Sequence, residues 1–160
     1  MILGAMLLAG MAADPAAPSA QGCAVIEAAY TVATGSDRRL HPVDLRPAEH
    51  ALDLSGFGER YIARMPLRQD EFAMLKAREA LYPSAQFQPR CTWTSKAKPQ
   101  VEYGETMAVA VTNPIFSERG QLALVEVSFY GNGLWGHGEL CVVRRTAARW
   151  TAECLRSWIA

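Results

Sequence analysis

The spacing of apolar residues divides this chain into a helical part and, from about residue 106 onward, a β part. Cys23 to Thr34 (CAVIEAAYTVAT) sets Val25, Ile26, Ala29, Tyr30 and Ala33 at the three- and four-residue steps of one helical face. Glu27 falls off that stripe, and Gly35 stands where a C-cap belongs. Glu71 to Leu81 (EFAMLKAREAL) is a run of strong helix formers that Tyr82-Pro83 stops, with Asp70 in position to cap it. Between these helices Pro42 and Pro47 break any long element, and Leu52 to Ile62 reads as a short helix or a loop. Ser84 to Glu102, rich in proline, lysine and polar residues, reads as a long connection.

The later segments change to a period of two. Thr106 to Thr112 puts Met107, Val109 and Val111 on one side before Asn113-Pro114 breaks it, and Glu118-Arg119-Gly120 makes a turn. Gln121 to Tyr130 (QLALVEVSFY) turns Ala123, Val125, Val127 and Phe129 to one face. Glu126 then points to the other face, where the expected state is a solvated strand glutamate. Two further strands follow, at 138–145 and from Trp150 onward. Short links between successive strands favour an antiparallel meander. The expected fold is α+β, with N-terminal helices packed on one face of a curved C-terminal antiparallel sheet of about four strands.

The glycine-rich stretch Phe129 to Leu140 (FYGNGLWGHGEL) interrupts this pattern. Asn132-Gly133 is a two-residue hairpin signal, because a type I′ turn needs positive φ at both central positions. That turn would set Tyr130 opposite Trp135 and Ser128 opposite His137. Gly136 and Gly138, alternating with His137, point to a bulge or a close approach by another backbone. As structure, this is a tight hairpin locked by aromatics. As function, it puts Trp135 and His137 at the mouth of a pocket. Glycine-rich corners commonly serve sheet curvature, so the structural reading is preferred.

Four cysteines, Cys23, Cys91, Cys141 and Cys154, suit an oxidising compartment and allow three pairings. If Arg145 sits opposite Trp150 across the link Thr146 to Arg149, Cys141 falls opposite Cys154, close enough to bridge. Cys23 is then left for Cys91. CxxC spacing is absent, and His41, His50 and His137 are scattered, so no metal site is expected.

The N-terminus differs from the rest. Ile2 to Ala13 (ILGAMLLAGMAA) is an uncharged apolar run, too short for a membrane span and suited to a signal-peptide core, although no Lys or Arg precedes it. Cleavage is expected after Ala12 or Ala13, or further on near Ala20. Lipid attachment at Cys23 is rejected, because Ala20 replaces the leucine-like residue that it needs. Residues 1–21 are thus read as signal peptide and flexible leader, and 22–160 as a single domain. Lys plus Arg and Asp plus Glu number 16 each, so the chain has no electrostatic footprint for nucleic acid. The pairs Arg38-Arg39 and Arg144-Arg145 read as solvated positions.

The span Thr112 to Trp150 resembles a group of uncharacterised bacterial exported proteins. Their C-terminal half runs Ser-x-x-x-Phe, Ala-x-Val, a Gly-x-Leu-Cys-Gly-x-Gly corner, then a strand and a closing Trp. Phe116, Ala123, Val125, Leu134, Gly136, Gly138 and Trp150 match, while Thr112 replaces the serine and Trp135 the cysteine of the corner. The resemblance implies an exported protein in which an aromatic stands for a possible disulfide staple. More loosely, the expected architecture is similar to the nuclear-transport-factor-like and cystatin-like α+β folds. Members of the former bind small ligands in a concave pocket, act there as isomerases or dehydratases, or only dimerise.

Candidate ligand-binding residues are therefore Tyr30, Glu126, Tyr130, Trp135 and His137. Catalytic serine, phosphate-loop and dinucleotide fingerprints are absent, and no cofactor is expected. The leading expectation is a periplasmic or secreted binding or interaction domain without catalysis, its partner a small ligand or an envelope protein. One alternative is a small-pocket enzyme of the cone type using His137 and Glu126. Another is a structural envelope component that pairs through a sheet edge. The terminal Ser157-Trp158-Ile159-Ala160 would dock on a partner or cap its own core.

Overall fold

The computed structural model describes residues 20–34, 44–85, 87–92, 108–131 and 136–160. Within them α1 (Ala20–Ala33) forms as its apolar stripe demands, burying Val25, Ile26, Ala29 and Tyr30. It starts ahead of the domain boundary expected at residue 22. The Gln21 side-chain amide donates to the Gly120 carbonyl at 2.6 Å, tying this first turn to the loop before β4. Gly120 sits there at φ 61°, a conformation that glycine adopts without strain.

Among the described residues six strands form one sheet, not about four. They are β1 (Asp44–Arg46), β2 (Ala108–Val111), β3 (Ile115–Phe116), β4 (Leu122–Tyr130), β5 (Gly136–Thr146) and β6 (Arg149–Ile159). The order is β1-β2-β4-β5-β6, with β3 also pairing β4. β1 runs parallel to β2 and every other pair is antiparallel. The extra strands, three and two residues long, are too short to carry a readable alternation.

Helices cover both faces of the sheet, which corrects the one-faced packing expected above. On one face α1 meets Val109, Val111, Ala123, Val125, Val127, Phe129, Cys141 and Val143. On the other, Leu54 from a 3₁₀ turn (Leu54–Gly56), Phe72 and Leu75 from α3 (Gln69–Arg78) and Met65 bury Ile115, Leu122, Leu124, Leu140 and Val142. The short α2 (Glu59–Ile62) adds Tyr61 and Ile62 at its margin. The cause lies in β4 and β5, whose stretches LALV and LCVV are apolar on both sides. Each fully buried Leu, Ile or Val there contributes about 1.5–3 kcal/mol.

The N-cap of α3 is Arg68, not Asp70. Glu71 reaches back to accept the Arg68 backbone N–H at 3.0 Å, as an acid at the third helical position does in a capping box. The same carboxylate takes both terminal nitrogens of Arg144 from β5 at 2.8 Å. Arg144 is thus tied to α3 and is not the freely solvated residue that its Arg-Arg pair suggested. Arg38-Arg39 lies outside the described residues. Glu71, its side chain 12 % exposed, is held down to about 2 by the Arg144 bonds and, less strongly, by the Arg68 N–H. A carboxylate depressed in the fold stabilises above its unfolded value of 4.5 and loses that contribution as pH falls toward 2. Glu71→Gln should therefore cost about 1–2 kcal/mol at pH 7, and the gap between urea melts of the two proteins should narrow below pH 4.5 and close only as pH approaches 2.

β5 and β6 turn through Ala147 and Ala148, with Ala147 at φ 54°. Arg145 pairs with Trp150 and Cys141 with Cys154, and those cysteines are bonded with Cα atoms 4.0 Å apart. Cys23 bonds Cys91, which leaves no thiol for a lipid. Both pairings agree with the sequence reading.

The β4–β5 register does not. Tyr130 pairs with Gly136, Phe129 with His137 and Ser128 with Gly138, one residue away from the expected alignment. The connection spans 131–135, and Asn132-Gly133 lies outside the described residues. A one-residue slip exchanges the faces of a whole strand. Because β5 is apolar on both faces, its hydrophobic pattern does not discriminate between the two registers. No helix among the described residues is long and apolar enough to cross a membrane.

Candidate functional site

Gly136 and Gly138 point to the sheet face that α1 does not cover, leaving a bare strip of backbone on β5. Trp158 of β6, directly opposite Gly138, fills that strip. A β-carbon on Gly138 would lie 2.0 Å from the indole Nε1, and one on Gly136 would lie 3.1 Å from the far edge of the same ring. An aromatic laid across a strand glycine compensates for its missing side chain. What approaches the glycines is thus a side chain, not another backbone.

The pairing slips between Gly138 and Glu139, whose partners are Trp158 and Arg156, so Ser157 is the extra residue of a β-bulge. The bulge re-aims side chains, as such irregularities do. Ser157 and Trp158 consequently both reach the carboxyl of Glu126 on β4. The Ser157 hydroxyl donates to Glu126 Oε1 at 2.7 Å, and the indole N–H bonds to the same group. The Glu126 backbone N–H donates to Thr112 Oγ1 at 2.8 Å, which fixes the strand beneath it.

Around this carboxyl opens a cavity of about 160 Å³. Its floor is Ala110 on β2 and Thr112 just after it, with Glu126, Ser128 and Tyr130 on β4. Trp158 forms one wall, and Ala48, Glu49 and His50 form the other. The Tyr130 and Trp158 rings are 5.8 Å apart and tilted by 40°. Along β4 this face passes from buried Leu122 and Leu124 to Glu126, Ser128 and Tyr130, so core gives way to polar site on a single strand.

Burial pushes the Glu126 carboxyl up, against the opposing effects of the Ser157 and Trp158 bonds and of His50. The expected solvated glutamate is therefore not found. The segment from Ala48 to Phe72 covers the face that was taken to be open. Burial also raises the Tyr130 hydroxyl, with Glu49 and Glu126 adding to the rise and a Ser128 hydrogen bond opposing it.

The other candidates from the sequence lie elsewhere. His137 is on the α1 face, stacked on Phe129 at 4.9 Å, and Phe129 stacks on Tyr30 at 6.3 Å. Burial and Arg156 lower His137, with Glu139 opposing, and burial raises Tyr30. The sheet separates His137 and Tyr30 from Glu126 and Tyr130, so His137 and Glu126 do not share a cavity. Trp135 lies outside the described residues. Sequence reasoning missed Ser157, Trp158 and Thr112 as site residues. The available signal was Gly-x-Gly on one strand with a tryptophan at matching distance on the next.

A carboxyl pushed up by burial, anchored by two donors and flanked by two rings, offers a counter-charge to a cationic guest. Among the described residues no group of three or more His, Cys, Asp or Glu side chains could hold a metal ion. Comparison with family models, with curated proteins and with solved structures finds no match to this chain.

Proposed function

We propose that this chain works as an exported binding domain, periplasmic or secreted, with no catalytic step, and that its ligand sits in the Glu126–Trp158 cavity. The observation that carries the reading is the convergence there of a buried carboxyl, two aromatic rings and several hydroxyls, the usual composition of a small-molecule seat. Two disulfides are consistent with an oxidising location. His137 and Glu126 lie on opposite faces of the sheet, so a cone-type enzyme would work with only one of them.

A fragment screen on ¹⁵N-labelled protein tests the proposal, with the Trp158 indole N–H as reporter, assigned by Trp158→Phe. Hits should cluster on Trp158, Thr112 and Tyr130. Hits clustering only on other surfaces would refute the cavity as the ligand seat. A second reading has one observation in its favour. β6, eleven residues long, ends the sheet, and among the described residues no strand pairs with its outer side. An envelope component pairing there would protect outer-edge amides of Arg149–Arg156 from hydrogen exchange, whereas a cavity ligand leaves them unchanged.

A further inference from the structure

The chemistry of the cavity wall narrows the ligand class. Among the described residues Glu126 and Glu49 are its carboxylic acids, and no lysine or arginine lines it. An anionic guest would face those two carboxyl groups, with His50 the one basic side chain among the described lining residues. A carboxylate offers about four acceptor sites, and Ser157 and Trp158 use two, so Glu126 retains acceptor capacity toward the cavity. One part of the Trp158 indole rests on Gly136 and Gly138, and the remainder lines the cavity beside Tyr130. Ring faces attract a cation, the more strongly where water is excluded. The volume, about 160 Å³, admits an alkylammonium or guanidinium head.

We propose that the cavity takes a small organic cation, a primary ammonium or guanidinium group, with Glu126 as its counter-charge and the Tyr130 and Trp158 rings as its walls. This rests on the cavity's being the ligand seat. The guest is a free amine or the side chain of a basic residue on a partner, since both carry the same head group. Binding favours the ionised form of the Glu126 carboxyl, so a proton and the cation compete for it. The titratable groups facing Glu126 are Glu49 and His50 from the segment after β1, Tyr61 from α2 and Tyr130 on its own strand. Both tyrosines are raised and stay neutral through the working range.

The test is titration of ¹⁵N-labelled full-length protein with butylammonium, butyramide and butyrate, followed at the Trp158 indole N–H. Butylammonium should bind at least tenfold tighter than either of the others, and its affinity should fall as pH is lowered through the range in which the Glu126 carboxyl takes up a proton. His50→Gln should preserve that pH dependence. Glu126→Gln, which keeps the shape and one acceptor oxygen, should abolish the preference for the cation. A lysine peptide blocked at both termini but with its side-chain amine free, compared with butylammonium, separates the two sources by relative affinity. Equal binding of the three probes at this cavity, or a cation affinity that ignores both pH and Glu126→Gln, overturns the cation assignment and leaves the binding-domain reading standing. Absence of any probe from the cavity at every pH, with hits from the wider screen elsewhere, removes both.

Discussion

Replacing Cys23 and Cys91 together by serine should lower the folding stability by about 4 kcal/mol. The bond closes a loop across a sequence separation of 68 residues, against 13 for Cys141–Cys154. Chain-entropy arithmetic then assigns about 4 kcal/mol to the longer loop and about 3 to the shorter. The ranking opposes the one burial suggests, since Cys141 is fully buried under α1 while Cys91 is half-buried. Burial does not decide it, because the sheet ladder already holds Cys141 and Cys154 together in the folded state. The entropic effect acts on the unfolded chain, where only the loop length counts. Urea denaturation of the two double-serine variants against the wild type measures both losses. A smaller loss for the Cys23/Cys91 variant would show that packing of α1, not loop closure, ties these segments together. The bond also bears on the site. Phe87 and Gln88, just before Cys91, hold Ala48 and Leu45 by hydrogen bonds of 3.2 and 2.9 Å, and Ala48 begins the cavity wall. Amide exchange at Ala48 should accordingly quicken in the variant.

These disulfides were legible because hairpin geometry reduces to counting. Once Arg145 is set opposite Trp150, Cys141 and Cys154 can only meet. The first helix and the long strands were legible for a related reason, since each buries a periodic face. Legibility fails where one residue pattern satisfies two arrangements. Leu140 to Val143 is apolar on both faces, so nothing in it chooses between Phe129 and Ser128 as the partner of His137. The same ambiguity concealed the second helical layer, and with it the burial of Glu126. β1 and β3 were invisible for want of length. The Ser157 bulge has no compositional marker, yet it places both donors on Glu126. The site was thus half readable: Glu126 and Tyr130 were among the candidates, but their partners come from a strand end whose register depends on an irregularity.

Gly138→Ala should destabilise the protein by about 3 kcal/mol and dismantle the Glu126 site in the same step. The new methyl would sit 2.0 Å from Trp158 Nε1, 2.4 Å from its Cδ1 and 2.5 Å from Glu126 Oε1, so the indole cannot stay. Its departure removes one donor from a buried carboxyl, and an acceptor stripped of a partner costs about 1–3 kcal/mol by itself. Gly136→Ala is milder. There the β-carbon meets the Phe129 carbonyl at 3.0 Å and the outer ring of Trp158 at 3.1 Å, contacts that a shift of a few tenths of an ångström relieves. The two effects at Gly138 separate in a double-mutant cycle with Trp158→Ala. With the indole gone, the Glu126 carboxyl end at 2.5 Å is the remaining close contact and can swing into the vacated space, while alanine has the better strand backbone entropy. Gly138→Ala should then cost under about 1 kcal/mol, leaving a coupling of about 2 kcal/mol. An equal cost in both backgrounds would place the requirement for glycine in the backbone of β5. It would also remove the argument that Gly-x-Gly exists to seat the tryptophan. Recovery of stability without recovery of the Glu126 response would show that the indole N–H, more than the space it fills, is what the site needs.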